Sequence, residues 1–268
     1  MTATLPDSPA PEPQTRRGHR AAKRRRVTVI GVLGELLITA GVLVMLFLVW
    51  QLWWNDLVTA QAQSSAATDI SQQWIADAPP APVPDDPAEP VDYGVPVVAA
   101  QPDDGEAFAV LYVPRFGADY HRTIAGGTGT NVLNSTRLGI GHYPVSQMPG
   151  EVGNFAVAAH RSAYGGGLHL INELQIGDAI YVQTADGYYT YTFRDLEYVQ
   201  ASQIEVIAAV PHQPSTAAID RIITLTSCNP VFSTAERIIA YGVFDSWQPL
   251  SAGPPAGLAP LISAQAKE

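Results

Sequence analysis

Cysteine is almost absent from this 268-residue sequence: Cys228 is the only one. A disulfide framework within the chain is excluded. A cage of metal ligands is disfavoured too, since no C-x-x-C or H-x-x-x-H spacing occurs, and no required metal or cofactor is expected. Positive charge is scarce over most of the length. Seven of the 15 Lys and Arg lie before residue 27 (Arg16, Arg17, Arg20, Lys23, Arg24, Arg25, Arg26), and from residue 51 onward 22 acids face 8 bases. A basic head on an acidic body argues against nucleic acid as the main partner and suits a body held off an anionic surface. No internal repeat and no βαβ alternation appear, which argues against a parallel α/β sheet.

What is present begins with an apolar run. Val27 to Trp50 (VTVIGVLGELLITAGVLVMLFLVW) carries one charge, Glu35. A helix needs roughly 20 apolar residues to cross a bilayer. The basic run Lys23 to Arg26 precedes it, so the N-terminus is expected in the cytoplasm, and Trp50, Trp53 and Trp54 follow as an interfacial belt. A cleaved signal peptide has a shorter core of about 7–15 residues with a small-residue site close behind. Here the core is long, its end is bulky, and the one A-x-A (Ala60, Ala62) lies well beyond it. The run reads as an uncleaved anchor of a single-pass protein. No second apolar span follows residue 51, so the rest is expected outside the cell.

Gln51 to Asp77 contains no Gly or Pro and reads as a juxtamembrane helix. Ala78 to Glu106 holds eight prolines, Pro79 to Pro102, with Asp85, Asp86, Glu89, Asp103 and Asp104 among them. Such sequence stays extended, and 51–106 is expected as a juxtamembrane segment and stalk. The folded domain is expected over 107–247, long enough for one core. The tail 248–268, rich in Ala, Pro and Gly, is expected without order.

Strand signals dominate the domain: Phe108 to Val113, Asn154 to His160, Ala179 to Thr184, Tyr188 to Val199, Ile222 to Leu225 and Arg237 to Phe244. Asp186-Gly187 between two alternating runs predicts a hairpin. Helices are few, over Asn131 to Thr136 and Leu168 to Leu174. The fold class is mainly β, a closed or nearly closed antiparallel barrel.

Three segments place reactive groups at strand edges, where a rigid scaffold presents them. GNFAVAAHR (Gly153 to Arg161) ends an apolar strand on His160. ITLTSCNP (Ile223 to Pro230) ends another on Cys228. RIIAY (Arg237 to Tyr241) opens the next on an arginine. Taken singly, the cysteine is most simply apolar filler, the histidine structural and the arginine a surface ion pair. Their joint order and spacing change that reading.

The GN-apolar-H-R segment, the Gly177-Asp178 pair before an apolar strand, the TLT-x-C-x-P segment and an arginine nine residues after the cysteine resemble the sortase family of cysteine transpeptidases. Within it, Gly141 to Pro144 (GHYP), Pro149 to Glu151 (PGE) and the N-terminal anchor are most similar to the class E, actinobacterial housekeeping type. Two departures stand out: Ala159 where the family usually has Gly before the histidine, and Ser227 directly before the cysteine.

The resemblance implies a sortase barrel and a reaction. The Cys228 thiolate attacks the Thr carbonyl of an LPxTG- or LAxTG-type C-terminal sorting signal. A thioester forms, the Thr–Gly bond breaks, and an amine of a lipid-linked cell-wall precursor takes the acyl group. His160 serves as proton shuttle and Arg237 as a fixed cation for the oxyanion, with Cys228 the activated nucleophile. The partners are surface proteins bearing the signal, the wall precursor, and the membrane through the N-terminal helix. The class E likeness favours LAxTG and wall attachment over pilus polymerisation. The stretch Ala201 to Ala218 is implied in binding the apolar half of the signal, through Ile204, Val206 and Ile207. Thr226, Ser227 and Tyr143 are further candidate contacts, with His142 beside Tyr143 expected to line the pocket.

Rival readings fit less well. Papain-like and NlpC-type peptidases place the cysteine before the histidine, and an L,D-transpeptidase carries S-H-G-C where this chain has T-S-C-N. A non-catalytic, membrane-anchored barrel that binds surface proteins or wall polymer would tolerate loss of Cys228.

Overall fold

The computed structural model describes residues 28–79 and 92–266. The basic segment before the apolar run, residues 80–91 of the Pro-rich stretch and the last two residues lie outside them. Two compact units are present. The first, ending at Phe47, holds all but the last two residues of helix α1, Val29–Val49, whose 21 residues are all unburied. At 1.5 Å per residue this length matches a bilayer core of about 30 Å, so α1 is long and apolar enough to span one.

The second unit starts with a wide turn, Trp50–Trp54, and helix α2, Asn55–Asp77. Eight strands follow: β1 (Ala107–Tyr112), β2 (His121–Gly126), β3 (Gly139–His142), β4 (Gly153–Ala159), β5 (Ala179–Gln183), β6 (Gly187–Gln200), β7 (Arg221–Asn229) and β8 (Glu236–Pro249). They close a barrel in the order β1-β2-β3-β4-β7-β8-β6-β5. The barrel closes as expected, but its pairing is mixed: β2/β3 and β4/β7 run parallel, with a short helix, Thr130–Leu133, in the connection from β2 to β3 and the β5–β6 hairpin between β4 and β7. The expected hairpin at Asp186-Gly187 joins β5 to β6, with Gln183 opposite Tyr188. Helix α3, Thr130–Leu133, is one turn long, and a 3-10 turn at Ile171–Glu173 stands where a helix over 168–174 was expected.

Strand alternation sorts the side chains. Leu111, Phe155, Val157, Ile180, Tyr191, Leu225 and Ile238 fill the interior. The intervening residues of β1, β5 and β6, namely Val110, Tyr112, Tyr181 and Tyr188, face outward into a second cluster with Ala67 and Trp74 of α2 and Leu250, Leu258, Leu261 and Ile262. Strands buried on both faces read as continuous apolar runs, as FAVLYV does. β2 and β3 escaped the sequence reading because HRTIAG and GIGH are buried without being apolar.

Two expectations are corrected. Residues 92–106 are not a free stalk. The Tyr189 hydroxyl donates to Val97 O at 2.5 Å, Trp247 Nε1 to Gly94 O at 3.1 Å and Gln101 Nε2 to Ser146 O at 2.9 Å. Proline-rich backbone loses donors but keeps its carbonyls, and two of these three bonds go to such carbonyls. The tail also has order: Leu250–Ala252 form a 3-10 turn, and helix α4, Ala259–Gln265, docks Leu261 and Ile262 on the outer cluster. The composition of the tail hid three apolar residues, Leu258, Leu261 and Ile262, at i, i+3, i+4 spacing.

Candidate active site

β4, β7 and β8 are neighbours in the barrel wall, and the three candidate residues, His160, Cys228 and Arg237, stand at one end of them. Cys228 and Arg237 are direct partners across the antiparallel β7/β8 ladder. On the other side, the parallel register pairs Ala158 with Thr226. His160 and Cys228 each lie two residues further along. Partner residues on adjoining strands project to the same face of a sheet, with Cβ atoms about 4.5–5.5 Å apart in antiparallel pairs. Interior positions on β7 and β8 belong to Ile223, Leu225, Ile238 and Ala240. Thr226 and Cys228, and with them Arg237, therefore lie on the outer face of the wall.

His160 is partly buried. Its Nε2 lies 2.8 Å from Asn134 Oδ1, an acceptor, which places the ring proton on Nε2. The Tyr164 ring packs against the imidazole at 5.0 Å between centroids. Burial pulls the imidazole below its ordinary value, and Asp56 on α2 opposes that shift. The Arg237 guanidinium donates through Nη1 to Thr234 O at 3.0 Å and Glu236 O at 2.9 Å, so one arm of its fork is fixed by the β7–β8 loop.

A polar chain runs beside the trio. Arg161, 6% exposed, donates through Nη1 to Asn229 Oδ1 and through Nη2 to Asn172 Oδ1 at 2.9 Å. Asn229 Nδ2 donates to Glu236 Oε2 at 3.0 Å. Thus the residue after the histidine, the residue after the cysteine and the residue before the arginine are tied together. Arg161 and Asn229 stood in the quoted motifs, but nothing local marked them as partners.

The other expected residues fall in three places. The Tyr143 hydroxyl is 3.1 Å from Thr226 Oγ1, on the same outer face as Cys228. Thr226 also donates to Val157 O at 3.1 Å, and buried Ser227 donates to Ala159 O at 2.8 Å. The 204–207 turn buries Val206 against Val199 and Ile239, packs Ile207 beside them and leaves Ile204 74% exposed. Asn154 holds this turn: its Nδ2 donates to Val206 O at 3.3 Å and Ala208 O at 3.0 Å, and its Oδ1 accepts from Thr224 at 2.6 Å. The GN motif pointed at Asn154 without giving its task.

His142 corrects an expectation. It lines no pocket: it is fully buried, its Nε2 lies 3.0 Å from both Gln147 O and Ser146 Oγ, and its ring contacts Phe108 and Phe155. A cavity of about 850 Å³ lies between α2 and the barrel, bordered by Arg122, Arg161, Ser162 and Phe232. None of His160, Cys228 and Arg237 lines it. No group of three or more His, Cys, Asp or Glu capable of holding a metal occurs among the described residues.

A closed barrel with a lone thiol between a histidine-bearing and an arginine-bearing strand defines a thiol acyl-transfer enzyme. Residues 111–245 match the family model described as a sortase domain. Sortase SrtE1 of Streptomyces coelicolor is 33% identical over 261 residues, covering 94% of this chain and 68% of that protein. Among solved structures, the SrtA sortase from Actinomyces oris superposes with a TM-score of 0.57 at 38% identity, covering 62% of this chain and 94% of that one. Sortase E1 from S. coelicolor, solved with a tripeptide in its active site, gives 0.53 at 34% identity, covering 59% and 99%. The chain belongs to the sortase family and is a cysteine transpeptidase.

Proposed function

We propose that this sortase is held in the cell membrane by α1, with its N-terminus cytoplasmic and its barrel outside. There it transfers surface proteins bearing an LPxTG- or LAxTG-type signal to a cell-wall precursor amine. One observation carries the reading: the only thiol of the chain is the direct ladder partner of Arg237, while His160 directly follows the strand on its other side. The thiolate of Cys228 attacks the Thr carbonyl, and the Arg237 guanidinium, which keeps its charge throughout, donates to the oxyanion. His160 first takes the thiol proton, the S–C bond forms to give the tetrahedral oxyanion, and collapse of that intermediate breaks the C–N bond. His160 hands a proton to the departing Gly amine, then takes one from the incoming amine as it displaces the thiol.

Tyr143 and Thr226 line the approach beside Cys228, and Ile204 and Ile207 meet the apolar half of the signal. Buried Val206 anchors their turn, and Ser227, buried between Thr226 and Cys228 on the inner side of β7, supports the strand without touching the peptide. Exposed Ile204, beside a turn otherwise packed down, suits that contact. The tripeptide in the S. coelicolor enzyme's active site supports a peptide substrate.

The test is the full chain in detergent micelles with two quenched peptides, LPxTG and LAxTG, each with and without an added amine. Cleavage that vanishes in Cys228→Ala, with a ligated product when amine is present, is the expected result. An intact fold that cleaves neither peptide would overturn the reading.

A further inference from the structure

α2 presents a buried file at i, i+4 spacing made of Thr59, Gln63, Ala67 and Ser71, three of them polar. Gln63 is fully buried, and its Nε2 donates to Ser135 O at 2.8 Å and to Tyr164 O at 2.9 Å. These carbonyls belong to two loops. One carries Asn134, the hydrogen-bond partner of His160; the other carries Tyr164, whose ring packs on His160. Two helical turns earlier, Asp56 accepts from the backbone N–H of Gly165 at 3.3 Å.

The slot for Gln63 is built on both sides. Gly139 and Gly165 have φ of +91° and +86°, and a Cβ on either would come within 2.6 Å of the Gln63 amide. Tyr164 itself has φ +51°, a costly conformation for a bulky residue, and the Gln63 amide grips its carbonyl there. Gln63 Oε1 has no hydrogen-bond partner among the described residues. The Gln63 amide N–H groups bridge two loop carbonyls, a task that needs two donors on one rigid group.

We propose that Gln63 of the membrane-proximal helix is a positioning residue for His160, holding the Asn134 and Tyr164 loops against its imidazole. The inference rests on the reading of His160 as the proton shuttle, but its geometric part is testable without turnover. α2 thereby belongs to the site and is more than a spacer.

The experiment uses the full chain in detergent micelles and three variants. Gln63→Met keeps the volume and removes the donor. Gln63→Asn withdraws the amide by one methylene and serves if the first variant misfolds. Ser71→Ala, on the same helix face but bonded to Gln183, is the structural control. The His160 imidazole is titrated by NMR, its signal assigned by loss in His160→Gln, and kcat and KM for peptide transfer are measured alongside. Asp56 on α2, Arg161 and Tyr164 on the histidine's own loop, and Cys228 and Arg237 on the adjoining strands are the same in all three variants. A moved midpoint therefore reports a moved ring.

In the Gln63 variants the midpoint should rise toward the ordinary imidazole value as burial is lost. kcat should fall roughly 10- to 100-fold, the scale of a small misplacement of a reacting group, with KM for the peptide held. Ser71→Ala should lower the melting temperature and leave midpoint and kcat in place. An unchanged His160 titration in folded Gln63 variants, or an equal shift in Ser71→Ala, would overturn the proposal. Should the parent chain transfer no peptide at all, the functional reading fails while the titration still decides the positioning role.

Discussion

Cys228 and Arg237 are ladder partners on β7 and β8, so the thiol and the guanidinium are held together by backbone hydrogen bonds rather than by a loop. Arg237→Lys keeps the charge but loses the planar fork. With Nη1 already given to Thr234 O and Glu236 O, the remaining donors are those a lysine cannot reproduce. The expected loss is about 2.7–4 kcal/mol of transition-state stabilisation, read as a drop in kcat with an unchanged melting temperature.

Asn154 ties the 204–207 turn to the wall through three hydrogen bonds. Asn154→Ala leaves two loop carbonyls and the Thr224 hydroxyl unpaired, each worth about 1–3 kcal/mol if it finds no water. Peptide KM should rise severalfold while kcat holds, because the turn is loosened and the Cys228–Arg237 pair is not. Steady-state kinetics with the preferred peptide checks this.

Acid should weaken the fold. His121, His142 and His160 are all pulled below the ordinary imidazole value, burial being the first cause in each. Their neutral forms are favoured in the folded state, so their contribution is present above about 6.5, the ordinary value. It is lost as pH falls from there through the lower folded values. His142 is the sharpest case: its Nε2 faces Gln147 O and Ser146 Oγ, and its buried Nδ1 meets no acceptor among the described residues. Denaturant midpoints at pH 7.5 and pH 5 should differ in parent protein, and less in His142→Gln.

The outer cluster predicts where a shortened domain fails. A chain cut to 107–247 lacks α2, the 92–106 segment and α4, leaving Val110, Tyr112, Tyr181 and Tyr188 uncovered. It should be less stable than 48–268 and bind apolar dyes. Leu261→Ala in the full chain should cost about 2–3 kcal/mol, measured by thermal or denaturant unfolding.

That the candidate trio would come together was legible because its signals are local: a histidine, a cysteine and an arginine each sit at or next to a strand end marked by an apolar run. The barrel was legible for the same reason in β1, β4, β5, β6, β7 and β8. What escaped was polar and long-range. β2 is buried with His121, Arg122 and Thr123 in it, so no apolar alternation announces it. α2 was recognised as a helix, but its docking face reads Thr59, Gln63, Ala67, Ser71, which no hydrophobic pattern distinguishes from solvent. Asn134 lies 26 residues from His160, and Glu236 meets Asn229 only because β7 turns back into β8.

The dock for α2 draws on residues far along the second unit, Val110 and Tyr112 of β1, Tyr181 and Tyr188 of β5 and β6, and Leu261 and Ile262 of α4. During synthesis the helix emerges first, and its seat is finished only when the last turn of chain has appeared. At roughly 5–20 residues per second, the newborn protein spends on the order of ten seconds or more with α2 unhoused. The exposed aromatic flank of β1, β5 and β6 is then the surface that a chaperone would have to shield.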